Sequence, residues 1–280
     1  FRRVLFRSVP AGDFSAKIMV KVGQLNSKDF PANKKYAIPL SITGASNYSL
    51  IPSQRSAILL LNRSILSSVA KVSGGEGIRI KPVGMHTKAE WTIQMSAIYS
   101  SLTRSNLTTA YLSNGTGGEF YTRISSTAGI QVKNGRDGDD TWTQIPLQAG
   151  KWLHITYVHK DKKTTVYVNG KVQKVFENSA ITFGENSMIV VGNSGYRNDY
   201  LREIRLWDKA LTESEINDYL YLPMDPATPH LISYLPLSKE METKDLKAPA
   251  GTENVTTKAR IEYVENVKFP ADELVIVNQE

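Results

Sequence analysis

The chain contains no cysteine. That excludes a disulfide framework, thiolate metal sites and a cysteine nucleophile. Long apolar runs are also missing. The longest, Ala57 to Leu61, falls far short of the roughly 20 residues that a helix needs to cross a bilayer. Histidine is scarce, with only His86, His154, His159 and His230. His154 and His159 lie an odd number of positions apart on one strand pattern. They should therefore face opposite sides and cannot chelate one ion together. No Gly-x-Ser-x-Gly elbow and no Walker loop occurs. On this reading no metal and no cofactor is expected. An initiator Met is missing too, and the chain opens on FRRVLFRS.

What is present fits a globular protein. Of the 280 residues, 41% are hydrophobic and 22% charged. The net charge of +7 prompts the question of nucleic acid. The basic residues are scattered, however, and the nearest cluster, Lys160 to Lys163 (KDKK), reads as a solvated hairpin turn. Nucleic acid is therefore not an expected partner. The first octet weakens that case further. One codon choice for it, TTC AGA CGT GTG CTC TTC CGA TCT, reads as the end of a common sequencing adapter. Residues 1–8 are accordingly expected to be adapter translation joined to a gene fragment. Without Arg2, Arg3 and Arg7 the net charge falls from +7 to +4.

Strand signals dominate. Short alternating stretches such as GEFYTRI, GIQVK, KWLHITYVH, SMIVVGN and LREIRLW are separated by Gly, Asn, Asp and Ser. Such spacing points to a sandwich or barrel. In TTVYVNGKVQKVF, Asn169-Gly170 divides two alternating runs. Asn-Gly readily supplies the two positive φ angles of a tight hairpin turn. In KWLHITYVH, the face bearing Leu153, Ile155 and Tyr157 is the better core candidate, and Trp152 is expected to be half-buried. One helix stands out, in ALTESEINDYL. Thr212 and Glu215 form a capping box there, with Leu211 and Ile216 as a hydrophobic staple. The small, Gly-rich stretch SSVAKVSGGEG (67–77) reads as a boundary between domains. A last strand is expected near ARIEYVENV.

Chemistry is harder to find. A jelly-roll glucanase would carry paired carboxylates on one strand as Glu-x-Asp-x-x-Glu. The nearest strand here has Glu203 and Asp208, five apart and thus on opposite faces of a regular strand, with no acid between them. They read as a rim carboxylate and a turn residue. GRDGDD (135–140) is acidic but lacks the closing glutamate of a calcium loop, so a polar turn is the better reading. SNGTGGEF (113–120) leads into a strand, whereas phosphate cradles usually feed a helix. Binding is more legible in aromatics. Trp91 and Trp207 belong to core strands, while Trp142, after the acidic turn, is the tryptophan expected to be exposed. Tyr196, Arg197, Asn198 and Tyr200 share a polar stretch, SGYRNDYL, read as a loop. Sugars stack on rings, and Asn, Asp and Arg hydrogen-bond their hydroxyls. Trp142, Tyr196, Arg197, Asn198 and Tyr200 are thus the candidate ligand-binding residues.

The ordered motifs GKWLHITYVHKDKKTTVYVNGKVQ, IVVGNSG and LREIRLWDKALTESEI resemble the core of a laminin-G-like, concanavalin A-like jelly roll. The closing segment HLISYLPLSKEMETKDLKAPAG resembles bacterial versions, although Leu235 and SKEMETKD replace the usual Trp and acidic Gly-rich turn. NKKYAIPLSITGASNYSLIPSQRSAILLLN resembles the end of a small β-sandwich domain of unknown function. That domain precedes such jelly rolls in surface lipoproteins of gut saccharolytic bacteria. The implied fold is all-β: a truncated Ig-like β-sandwich (9–66), a linker (67–77) and a jelly-roll sandwich (78–280). The implied function is non-catalytic capture of a poly- or oligosaccharide at the outer surface, within a polysaccharide-utilisation system. The implied partners are a glycan and other outer-membrane glycan-uptake proteins. The membrane would be met only through a lipid anchor upstream of this sequence. A protein-binding adhesion module is the alternative, and a divergent glycoside hydrolase the weaker third.

Overall fold

The computed structural model describes residues 9, 11–12, 20–23, 29–30, 36–61, 64–75, 77–84, 88–102, 108–111, 120–133, 138–177, 181–184, 186–192 and 196–278. The octet 1–8, His86 and most of SNGTGGEF lie outside them. In chain order the strands begin with β1 (Tyr36–Ser41), β2 (Ser56–Leu61), β3 (Ile65–Gly74), β4 (Ile78–Ile80), β5 (Trp91–Ile98) and β6 (Thr108–Tyr111). There follow β7 (Phe120–Ser125), β8 (Gly129–Lys133), β9 (Leu153–Lys160), β10 (Lys163–Val168), β11 (Lys171–Glu177), β12 (Met188–Val191) and β13 (Tyr196–Trp207). After the helix α1 (Glu213–Asp218) come β14 (Leu231–Leu235), β15 (Val255–Thr256) and β16 (Arg260–Phe269).

These strands make three antiparallel sheets. β1 and β2 form a hairpin. Seven strands run in the order β11-β10-β9-β5-β13-β3-β16, with β14 pairing the second half of β13 as the eighth. Facing them is a six-stranded sheet, β15-β4-β12-β6-β7-β8. The core between the two large sheets is where the period of two in the sequence is repaid. Ile93 and Met95 of β5, Ile155 and Tyr157 of β9, Phe120 and Ile124 of β7 and Ile189 and Val191 of β12 all point into it. Trp91 is its largest member: it meets Phe120 and Phe183 edge-on at 5.1 and 5.0 Å and donates its indole N–H to Ile181 O at 2.8 Å. Such edge-on pairs add about 1 kcal/mol each to burial.

The local signals act as the sequence implies. Asn169 and Gly170 both have positive φ, 52° and 75°, and join β10 to β11. The Asn169 side chain accepts from His154 N at 2.8 Å, which fixes the turn to β9. Asp161 and Lys162, at φ 50° and 62°, turn β9 into β10 with their side chains in solvent. Thr212 caps α1, with Glu215 bonding back to the Thr212 N–H at 2.9 Å. Leu211 and Ile216 close the staple against the sheet.

The linker expected over 67–77 is corrected. Residues 65–74 are β3, held between β13 and the edge strand β16 of the large sheet. Val69, Ala70 and Val72 are fully buried. Small residues suit this strand because both of its faces are covered, and that removes the alternation that would mark a strand. Only Gly74 and Gly75 turn. Trp152, expected half-buried, is 2% exposed on the far face of the large sheet. That face is closed by the segment 208–250 and by the C-terminal stretch, so neither face of β9 reaches water.

The hairpin has a different character. Tyr36, Ile38 and Leu40 share one face with Leu61, Leu59 and Ala57, while Ala37 and Pro39 share the other with Leu60 and Ile58. Both faces are apolar, yet Ile58 and Leu60 are 69% and 78% exposed. A two-stranded sheet alone is marginal in water.

Gly129 opens β8 at φ +78°, and a β-carbon there would stand 2.2 Å from Thr143 Oγ1 and 2.5 Å from Ile145 O. That close approach seats the segment carrying Trp142. Gly129→Ala should lower stability by about 2 kcal/mol or more, read from urea unfolding.

Candidate functional site

The expected ligand residues do not form one cluster. Trp142 bridges to Gln131 of β8, and its carbonyl accepts from Lys174 Nζ of β11 at 2.7 Å. It therefore sits at the β11 edge, half-buried rather than exposed. Thr141 and Thr143 on either side are buried, and Thr143 exchanges hydrogen bonds with Ile130. Tyr200 lies on β13, four strand spacings from β11, or roughly 19 Å across the sheet.

SGYRNDYL is a strand rather than a loop from Tyr196 onward. Tyr196 and Arg197 pair with Gly74 and Ser73, while their side chains lie outside the described set. Asn198 is exposed at φ 61°, in the register shift between Arg197 and Asp199. Asp199 turns inward and takes the N–H and Oγ of Ser100 at 2.9 and 3.0 Å. Tyr200 packs half-buried against the cluster of Ile65, Val69, Ile98 and Trp152. The polar residues that read as a loop serve a bulge: Asn tolerates the positive φ and Asp ties it down.

The densest titratable cluster lies on the closed face. Glu203, at φ 55°, is the extra residue of a second β13 bulge. The bulge breaks the count of faces, so the parity argument from Glu203 to Asp208 does not apply. Glu203 is no rim carboxylate. It is 3% exposed and accepts from Arg202 at 3.2 Å, Arg205 at 2.6 Å and Tyr234 Oη at 2.9 Å. The arginines in turn donate to the carbonyls of Tyr221, Tyr219 and Leu222. Asp208 is the turn residue expected, paired with Lys88 at 3.2 Å and His230 at 2.9 Å. His154 faces Glu203's side of the sheet and meets Ser96 Oγ at 2.6 Å. Burial, then the charges of Arg202 and Arg205, push its pKa down to about 3. His159 faces the opposite core, as its parity requires, stacking on Trp91 at 5.2 Å, and burial lowers it to about 4. Among the described residues no group of three His, Asp or Glu could hold a metal.

The outer face of the six-stranded sheet is the surface that sequence reasoning missed. In FYTRIS the inward set is Phe120, Thr122 and Ile124, and the half-exposed outward set is Tyr121, Arg123 and Ser125. Arg123 lies over the Tyr121 ring, 5.3 Å from its centre, and its Nε donates to Tyr121 Oη at 3.4 Å. The pairing register runs Arg79, Val190, Thr109, Tyr121, Lys133 in one row across β4, β12, β6, β7 and β8. The clean alternation of FYTRIS was the available signal. A shallow groove of about 450 Å³ lies at the other end of the sheet, beside β4 and β15, lined by Lys81, Val83, Asn186, Glu253 and Asn254 among others.

Two packed antiparallel sheets with a capped helix closing one face make a jelly-roll sandwich. The sequence agrees: residues 73–217, just over half of the chain, match the model of the concanavalin A-like lectin/glucanases superfamily, laminin G type. The chain belongs to that family. No curated protein matches it. Among solved structures, a candidate carbohydrate-binding protein from Bacteroides ovatus is similar at 17% identity and TM-score 0.57, over 85% of this chain and 71% of that one. At that identity the likeness shows the fold. A SAP-like pentraxin from Limulus polyphemus gives 12% identity and TM-score 0.47, over 71% of this chain and 94% of that one. Domain 4 of the arabinanase AbnA from Geobacillus stearothermophilus gives 16% and 0.41, over 65% of this chain and 86% of that one.

Two outcomes test the buried cluster. Glu203→Gln leaves two buried guanidiniums without a counter-charge and should cost about 3 to 5 kcal/mol in urea unfolding. The histidines give a pH signature. Both stay neutral in the fold below the unfolded value of 6.5. The unfolded chain then binds more protons, so stability is full above pH 6.5 and falls as pH drops towards 4 and 3. His154 alone contributes a slope of at most about 1.4 kcal/mol per pH unit. His154→Gln should flatten the curve between pH 6.5 and 5, above the carboxylate range. An unchanged slope would mean that His154 is protonated in the fold.

Proposed function

We propose that this chain is a non-catalytic glycan-binding protein of the cell surface. The observation that carries the reading is the outward pair Tyr121 and Arg123 on the six-stranded sheet. A half-exposed ring for sugar C–H faces stands there beside a donor for hydroxyls. The fold likeness to the Bacteroides ovatus candidate carbohydrate-binding protein supports the same direction. Trp142 at one edge, and Asn198 with Tyr196, Arg197 and Tyr200 at the start of β13, are separate secondary contact points on this reading. Glu203 is committed to two arginines and is unsuited to acid–base work on a substrate. That disfavours the hydrolase alternative on this strand.

The two-faced apolar hairpin supports the finer domain reading. Strands apolar on both sides belong in the middle of a larger sheet. β1 and β2 would then be strands of a small β-sandwich domain preceding the jelly roll. A surface role within a polysaccharide-utilisation system, with a lipid anchor and outer-membrane uptake partners, follows from the same resemblance. The exposed Ile58 and Leu60 also suit the adhesion alternative, in which the hairpin meets another protein.

Affinity electrophoresis against a panel of neutral and acidic polysaccharides tests the reading. We expect retention by at least one, weakened tenfold or more by Tyr121→Ala, with the variant's thermal unfolding unchanged. No retention by any polysaccharide would remove the glycan reading and leave the adhesion module.

A further inference from the structure

We infer that the outer face of the six-stranded sheet takes acidic glycans, those carrying carboxylate or sulfate groups, with Arg123 engaging the anion. This rests on the glycan reading and narrows it. The strands of this sheet carry Arg79, Arg123 and Lys133 and no Asp or Glu. All three basic residues alternate with buried inward neighbours: Ile78 and Ile80, Thr122 and Ile124, and Val132. They therefore share the outward face. Arg79 and Lys133 end the transverse row in which Tyr121 sits, four strand spacings or roughly 19 Å apart. Val190, within that row, is fully buried, so the half-exposed stretch beside Arg123 runs over Tyr121 and Lys133.

Arg123 is built for the task. Its Nε makes a long hydrogen bond of 3.4 Å to Tyr121 Oη, and its guanidinium carbon stands 5.3 Å from the ring centre. Its terminal nitrogens have no other partner among the described residues. A guanidinium bonded at Nε presents its remaining N–H groups as a fork that fits a carboxylate or sulfate through two parallel bonds. Fixing the side chain beforehand lowers the ordering cost of binding. On the closed side, Arg202 and Arg205 are buried and paired with Glu203, so they present no such fork to solvent.

Two matched pairs of probes decide it: polygalacturonate against its fully methyl-esterified form, and dextran sulfate against dextran. Each is run on the full chain at about 0.15 M salt to suppress loose charge effects. The expected result is retention by at least one charged probe, tenfold or more above its uncharged partner. Arg123→Gln should lose tenfold or more. Lys162→Gln removes the same charge from the exposed β9–β10 turn and should lose less than twofold. Whichever arm is retained names the anion as carboxylate or sulfate. Equal retention of charged and uncharged partners would overturn the inference and leave the glycan reading standing. Equal losses in the two variants would overturn it as general polyanion attraction. Retention of nothing, in these pairs and in the wider panel, would overturn both.

Discussion

The Glu203 carboxylate is the tie on which the closed side of the sandwich depends. It sits at a bulge in β13, the strand that contacts β3, β5 and β14. The bulge turns Arg202 and Arg205 to the same face, and Glu203 bridges them. Two guanidiniums and one carboxylate are expensive to bury, and the arrangement is tolerable only because the hydrogen bonds are distributed. Both arginines spend N–H groups on carbonyls of residues 219–222, so the segment after α1 is pinned to the sheet. Trp207, Leu211, Ile216 and Leu231 then fill the gap between them. Ion network and apolar cluster need each other: the first fixes position, and the second excludes the water that would weaken it.

Closing one face has a consequence for function. The large sheet has spent both sides, one on the inter-sheet core and the other on the segment 208–250 with the C-terminal stretch. Binding chemistry is left to the outer face of the six-stranded sheet, to sheet edges and to turns. The charge distribution matches this division. The buried guanidiniums of Arg202 and Arg205 share the Glu203 carboxylate, whereas the outward side of the smaller sheet carries basic residues beside an aromatic ring.

How much of this was legible depended on whether the signal was local. Asn169-Gly170 and the Thr212–Glu215 box were readable because each is satisfied within a few residues, and the all-β sandwich followed from the run of alternating strands. β3 was missed because a strand covered on both faces has no reason to alternate, and its Ser and Ala residues read as linker. The bulges at Asn198 and Glu203 were missed because a single inserted residue leaves no mark on composition yet reverses every face after it. Trp142 looked exposed because it follows an acidic turn. The seat beneath it is Gly129 of β8, thirteen residues earlier, against which Thr143 packs. Tyr121 and Arg123 were written in the alternation of FYTRIS, but the outward half of a strand attracts notice only once its face is known to be open.

The hairpin obeys the same logic from the other direction. Its strands are apolar on both faces, more so than β9, which is buried on both faces from Leu153 to His159 yet carries His and Thr. Sequence that is apolar in both registers predicts two coverings, and β1 and β2 have Ile58 and Leu60 in solvent. Burying those two side chains alone would return about 3 to 6 kcal/mol, comparable with the stability of a small domain. A gain of that size is a driving force for covering the hairpin with a further layer.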